Sequence, residues 1–160
     1  MSTKIVLTRV DKRLLHATVA LNWNQFISVD FVAVVSSEYN NDPFIESVMQ
    51  LCLPKSMRVK MLSPDTFLDF IKEGEADKQN TRKVMVLFSD LTTACECVKR
   101  GFYVKEIQLP YPASRLAIRT LSDYFSKDDI ERIRFIQGQN IKLFFQTTPF
   151  DAKDYGSFYK

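Results

Sequence analysis

Short apolar runs alternate along this chain with stretches in which apolar residues recur at helical spacing. Ile5-Val-Leu7 is followed by Val19, Ala20, Trp23, Phe26 and Ile27 at helical intervals, which predicts a strand, a loop and an amphipathic helix. Phe31-Val-Ala-Val-Val35 reads as a strand buried on both faces. Behind it Phe44, Val48, Leu51 and Cys52 mark a second helical face, with Asn41 as N-cap and Pro43 in the first turn. After a third strand at Val59-Lys-Met-Leu62, Ser63 as N-cap, Pro64 at N1, apolar Phe67, Leu68 and Ile71, and Gly74 at C′ frame a helix. Val84-Met-Val-Leu-Phe88 is the fourth strand; Asp90 caps a helix ending near Gly101, and a fifth strand runs from Val104 to Leu109. Ser126 and Asp129 have the spacing of a capping box, with Phe125 and Ile130 placed as a hydrophobic staple. That helix ends near Gly138, before a last strand at Ile141-Lys-Leu-Phe-Phe145. Between Tyr111 and Tyr124 only Arg115 to Arg119 reads as structure, a short edge strand.

This rhythm predicts a single α/β domain over residues 1–160, an open, mostly parallel sheet of about six or seven strands with helices on both faces. In such sheets ligands bind beyond the carboxyl ends of the strands, near the point where strand order reverses. The loop after the first strand leaves that end.

Composition narrows the classes. At 160 residues the chain is long enough for one substantial core and short for two, and 13 phenylalanines supply its bulk. The net charge is +3, with both signs mixed along the chain, so nucleic-acid binding is not indicated. Lys4, Arg9, Asp11 and Arg13 interrupt the N-terminus, so no export leader is expected, and no apolar run approaches the roughly 20 residues of a membrane span. A cytosolic protein is expected, reaching a membrane only through a partner. Cys52, Cys95 and Cys97 read as reduced, small core residues, and neither a metal site nor a cofactor is expected. P-loop, dinucleotide and G-x-S-x-G motifs are absent. The aromatic end, Phe144, Phe145, Tyr155, Phe158 and Tyr159, reads as a core strand plus a packing or homo-oligomer contact.

His16 is the only histidine, and it lies just past the first strand in Arg9-Val-Asp-Lys-Arg-Leu-Leu-His16. Neutral imidazole is nucleophilic near neutral pH, its ordinary pKa being about 6.5. One ring nitrogen can attack phosphorus while the other is held in a defined tautomer. Arg9 and Arg13 are candidates to bind phosphoryl oxygens and Asp11 to orient the ring, with N–H donors from a helix beginning near Ala17 or Thr18. The same residues also read as an ordinary solvated loop. Ser89 after the fourth strand, and Asn41 and Asp42 after the second, are further candidates to close a pocket, although such residues at helix starts serve as caps whatever the function.

The segment Arg9-Val-Asp-Lys-Arg-Leu-Leu-His16, followed by Val19 and Trp23, resembles the R-[IV]-D-x-R-L-[IL]-H-G-Q-V signature of IIB components of the mannose/sorbose-type bacterial phosphotransferase system. Asn41-Asp42, Val86-Leu-Phe88, Ser126 to Ile133 and Thr147-Thr-Pro149 extend the similarity over nearly the full length. The resemblance implies an open parallel α/β sheet whose loop histidine, here His16, takes phosphate from a phosphohistidine on a IIA partner. It also implies that the phosphate passes to a sugar held by IIC/IID membrane components. Arg13 would be a phosphate-pocket residue, with Arg9 and Asp11 supporting the loop. Two departures stand out: Ala17-Thr18 replaces the family's Gly-Gln, and Gln108-Leu-Pro-Tyr-Pro112 replaces its N-[VI]-G-G segment. Glycines let a backbone approach closely, whereas prolines remove donors and stiffen the chain. These departures motivate a rival expectation, a docking or regulatory module that no longer transfers phosphate.

Overall fold

Strands buried on both faces require helices on either side, and the chain supplies them. The computed structural model describes residues 2–13, 27–38, 42–75, 80–112 and 120–159. Six strands, β1 (Ser2–Val10), β2 (Phe31–Val35), β3 (Arg58–Leu62), β4 (Thr81–Phe88), β5 (Glu106–Leu109) and β6 (Lys142–Phe145), form one open sheet in the order β3-β2-β4-β1-β5-β6. Every registered pair is parallel. The helices are α1 (Pro43–Leu51), α2 (Pro64–Glu75), α3 (Leu91–Lys99) and α4 (Lys127–Gly138), with 3₁₀ turns at Leu121–Asp123 and Gly156–Tyr159. The helix expected around Val19 to Phe26 and the strand expected at Arg115 to Arg119 lie outside the described residues.

Helices α2, α3 and α4 share one face of the sheet. Their core is built around Phe67, Phe88 and Phe102, which meet edge to face at centroid distances of 5.1–5.8 Å, and extends through Ile133 and Ile136 to Phe145 and Phe158. On the other face Ile45 and Met49 of α1 pack with Val32, Val34, Met61, Met85 and Leu87. The apolar row expected to mark the buried side of α1 points outward instead: Phe44 is 76% and Leu51 87% exposed. The reason is the sheet edge. With Ile45 and Met49 inward, Gln50 and Glu46 come to lie along β3. Gln50 donates to the Met57 carbonyl (2.8 Å) and accepts from the Val59 N–H (3.0 Å), while Glu46 accepts from the Met61 N–H (3.0 Å). These side chains occupy donors that an edge strand would otherwise leave open. At the opposite edge Phe145 and Asp154 exchange backbone hydrogen bonds of 2.8 and 3.0 Å in an antiparallel bridge.

The start signals mostly hold. Ser63 accepts from Thr66 N–H (3.2 Å), Asp90 from Thr93 (2.7 Å) and Ser126 from Asp129 (3.1 Å). Gly101, at φ +104°, ends the turn after α3 in a conformation that favours glycine. Other expectations need correction. Asp42, not Asn41, caps α1, accepting from Phe44 and Ile45 N–H at 3.0 and 3.3 Å; Asn41 lies outside the described residues. α2 runs one residue past Gly74. The Asp129 carboxylate takes Arg132 (2.9 Å) rather than closing a capping box. Cys95 and Cys97 are buried in α3, burial and Glu96 pushing the Cys97 thiol up to about 12, but Cys52 is exposed just beyond α1.

One irregularity matters for everything at the carboxyl end of β1. Its register with β4 shifts between Ile5 and Leu7, which leaves Val6 as an extra residue. Ile5 packs on the α2–α4 side, whereas Val6 and Leu7 both pack on the α1 side. A one-residue bulge inverts all later alternation. Arg9 therefore leaves the face of the phenylalanine cluster and points to the opposite one, while Val10 joins that cluster.

Phe67→Ala, which empties the centre of the edge-to-face trio, should lower the unfolding free energy by about 3–5 kcal/mol in urea titrations. Gln50→Ala, which uncovers half-exposed donors at the β3 edge, should cost only about 1 kcal/mol.

Candidate functional site

The carboxyl ends of β4, β1, β5 and β6 carry a connected polar cluster. Arg9, 1% exposed, donates through Nη2 to Asp11 Oδ2 (3.1 Å) and through Nη1 to Gln108 Oε1 (2.9 Å) and the Thr147 carbonyl (3.2 Å). Asp11, 3% exposed, is fixed from behind because its own N–H donates to the Phe88 carbonyl of β4 (3.0 Å). Its carboxylate also receives Arg13 three times: backbone N–H (3.0 Å) and Nε (3.2 Å) on Oδ1, and Nη2 (3.1 Å) on Oδ2. Arg13 is 55% exposed, so a buried carboxylate holds a solvent-facing guanidinium in one orientation.

The charges are mutually adjusted. Burial lowers the Arg9 guanidinium from its ordinary value, against the opposing pull of Asp11. Burial alone would raise the Asp11 carboxyl, but the side-chain and backbone donors of Arg13 and the charge of Arg9 outweigh it and hold the group below the usual carboxylate range. Hydrogen bonding to Asp11 in turn raises Arg13.

The expected site residues separate into groups. Arg9, Asp11 and Arg13 come together, Arg9 as the buried support and Arg13 as the exposed cation. Ser89 lies at the end of β4, beside β1, where its hydroxyl donates to Asp90 (3.2 Å) at the start of α3. Asp42 commits its carboxylate to the start of α1. His16 and Asn41, with Ala17 and Thr18, lie outside the described residues. Three polar residues were not anticipated from sequence: Gln108 and Gln146 through their side chains and Thr147 through its carbonyl. The signal available for the first was a glutamine between Ile107 and Leu109 inside a predicted buried strand.

The prolines after β5 frame a pinned tyrosine. Tyr111 N–H donates to Thr147 Oγ1 (2.9 Å), its hydroxyl donates to Asp154 (2.7 Å), and its ring stacks on Phe145 at 5.1 Å. A cavity of about 740 Å³ opens beside the cluster, with Lys12, Arg13, Asp90, Tyr111, Tyr124 and Arg132 among its walls. Among the described residues no group of three or more His, Cys, Asp or Glu is arranged to hold a metal ion, and no helix is long and apolar enough to cross a membrane.

Fold and cluster together define an open, all-parallel α/β domain with a cationic loop at the carboxyl end of a central strand. A family model described as PTS system sorbose subfamily IIB component matches residues 5–156, and the chain belongs to that family, a group of components of sugar phosphotransferase systems. It is 23% identical over 156 residues to N-acetylgalactosamine-specific phosphotransferase enzyme IIB component 1 of Escherichia coli (strain K12), covering 96% of each. It is 30% identical over 105 residues to IIB component 2 of the same organism, where the aligned stretch spans 66% of this chain and 64% of the relative. The crystal structure of the IIBSor domain of the sorbose permease from Klebsiella pneumoniae superposes with a TM-score of 0.77 at 19% identity, covering 97% of this chain and 93% of that one.

Asp11 has a lower carboxyl pKa folded than unfolded, so the stability it contributes is fully present above the ordinary carboxylate range. That contribution is lost as pH falls through the folded value. Asp11→Asn should lower stability at neutral pH by about 3–5 kcal/mol, because Arg9 stays buried without its counter-charge. The variant should also show a shallower loss of stability on acidification; urea titrations at neutral and acid pH check both.

Proposed function

We propose that the chain is a single IIB phosphocarrier domain over residues 1–160. It accepts a phosphoryl group on His16 from the phosphohistidine of a IIA protein or domain and passes it to a sugar held by IIC/IID membrane components during uptake. The observation that carries this reading is the Asp11–Arg13 unit three residues ahead of His16. Asp11 engages Nε and Nη2 of Arg13 and leaves Nη1 without a protein partner among the described residues. A guanidinium held by one edge and open at another suits a phosphoryl group that must be bound and then released.

In the first half a ring nitrogen of His16 forms a bond to phosphorus as the phosphorus–nitrogen bond of the donor breaks, and the proton that the His16 ring gives up balances the donor's freed nitrogen. In the second half the phosphorus–nitrogen bond on His16 breaks as a sugar hydroxyl oxygen bonds to phosphorus, and the hydroxyl proton balances the released ring nitrogen, so that neutral His16 is restored. Arg13 receives the phosphoryl oxygens, and Arg9 and Asp11 keep it in place. Positioning and charge balance are then the whole contribution of the protein, and no metal or cofactor is required. On this reading the domain works in the cytoplasm, at the inner face of the membrane through IIC/IID.

The test is intact-protein mass spectrometry after incubation with phosphoenolpyruvate, the general phosphotransferase proteins and a mannose-family IIA. The wild type should gain one acid-labile phosphate and His16→Gln none, and Arg13→Ala should slow transfer about 10-fold or more through loss of charge-assisted bonds. Phosphate on His16→Gln would overturn the assignment of the nucleophile. An uncharged wild type beside a charged, matched IIA would favour the docking module suggested by Ala17-Thr18 and Pro110/Pro112.

A further inference from the structure

We propose that Gln108 and Gln146 are positioning residues for phosphoryl transfer, members of a closed hydrogen-bonded ring that holds Arg9, and through it Asp11 and Arg13, in register. This rests on the phosphocarrier reading. Arg9 can only donate, so Gln108 must present Oε1 to it (2.9 Å). The Gln108 amide then donates from Nε2 to Gln146 Oε1 (2.8 Å), and Gln146 Nε2 donates to the Asp151 carbonyl (2.8 Å). The Asp151 carboxylate accepts the N–H groups of Thr147 (3.2 Å) and Thr148 (2.8 Å), which fixes the turn whose Thr147 carbonyl accepts from Arg9 (3.2 Å). The path therefore returns to its starting guanidinium, and each amide has only one orientation that satisfies it.

Two further observations give the ring its role. Arg9 and Gln108 are the only registered pair between β1 and β5 among the described residues, so their side chains join the strands where the backbone ladder is shortest. The acceptors offered to Arg9 by β5 and the turn are also neutral. The Asp11 carboxylate receives Arg9 Nη2 at 3.1 Å, so the charge of Arg9 bears on the group that orients Arg13. Opening the ring frees Arg9 to swing, Asp11 follows, and a displacement of Arg13 of about 1 Å is enough to slow transfer strongly.

The experiment compares wild type, Gln108→Leu and Gln146→Leu by rapid-quench transfer from charged IIA, with nitrogen-15 arginine spectra of each protein. In folded variants the rate at saturating IIA should fall about tenfold or more while the half-saturating IIA concentration stays within about twofold, because positioning and not docking is lost. The Arg13 Nε–H resonance should shift, although neither substitution touches Arg13. A wild-type rate with an unshifted Arg13 resonance in a folded variant overturns the proposal. If Gln108→Leu does not fold, Gln146→Leu carries the test, since it leaves the Arg9–Gln108 contact in place. If the wild type itself takes no phosphate, the carrier reading fails, and the Arg13 resonance alone then supports the ring by shifting or overturns it by staying fixed.

Discussion

The ion pair between Arg9 and Asp11 lies almost wholly out of water at the end of a central strand, and one carboxylate does not repay the desolvation of a guanidinium. The surrounding structure has to supply more acceptors, and it does so from two other strands, through Gln108 of β5 and the carbonyl of Thr147 after β6. The bulge at Val6 makes this arrangement accessible. Without the extra residue Arg9 would share the face of Ile5 and meet the apolar α2–α4 core. One irregular residue early in β1 thus decides the surroundings of a charge three positions later, and that charge fixes Asp11 and the exposed Arg13.

Topology explains why the polar cluster can form there. From β1 the chain crosses to β2 and β3 on one side, and from β4 it crosses to β5 and β6 on the other. The strand order reverses between β1 and β4, and the cluster and the adjoining cavity lie at the carboxyl ends of the strands there. The two sheet edges are closed by different means, side chains of α1 along β3 and a returning backbone segment along β6. Both edges are therefore partly covered within the chain.

Much of this architecture was legible because it depends on local signals. β2 has the predicted bounds, β3 gains one residue, and Ser63, Asp90 and Ser126 start the helices they were expected to start. The six strands fall within the expected number. What could not be read depended on partners distant in sequence. α1 carries two apolar rows, and only the backbone needs of β3 decide that Ile45 and Met49 turn inward while Phe44 and Leu51 stay in solvent. The bulge leaves no mark in Ile5-Val-Leu7, since both faces there are apolar. Arg9 was read as a phosphate ligand or a supporting group, and it is buried, whereas Arg13 faces solvent beside Lys12 and Arg132 in the cavity wall. Gln108 and Gln146 are 38 positions apart, and only the pairing of β5 with β6 brings their amides together.

The segment after β5 shows how a departure from a family pattern can be absorbed. Where the resemblance leads to a pair of glycines, this chain has Pro110, Tyr111 and Pro112. Prolines have no N–H, and the N–H of Tyr111 is already committed to Thr147, so these three residues offer no backbone donor to an anion. What replaces that capacity is rigidity: Tyr111 is tied through its N–H to the β6 turn, through its hydroxyl to Asp154 and through its ring to Phe145. That turn is the one whose Thr147 carbonyl accepts from Arg9. Stiffening the segment therefore strengthens the support beneath Asp11 and Arg13, and on the phosphocarrier reading it leaves Arg13 as a group to receive the anion. On the phosphocarrier reading, these residues change which groups can touch a phosphoryl oxygen and leave in place the Asp11–Arg13 pair that would receive one.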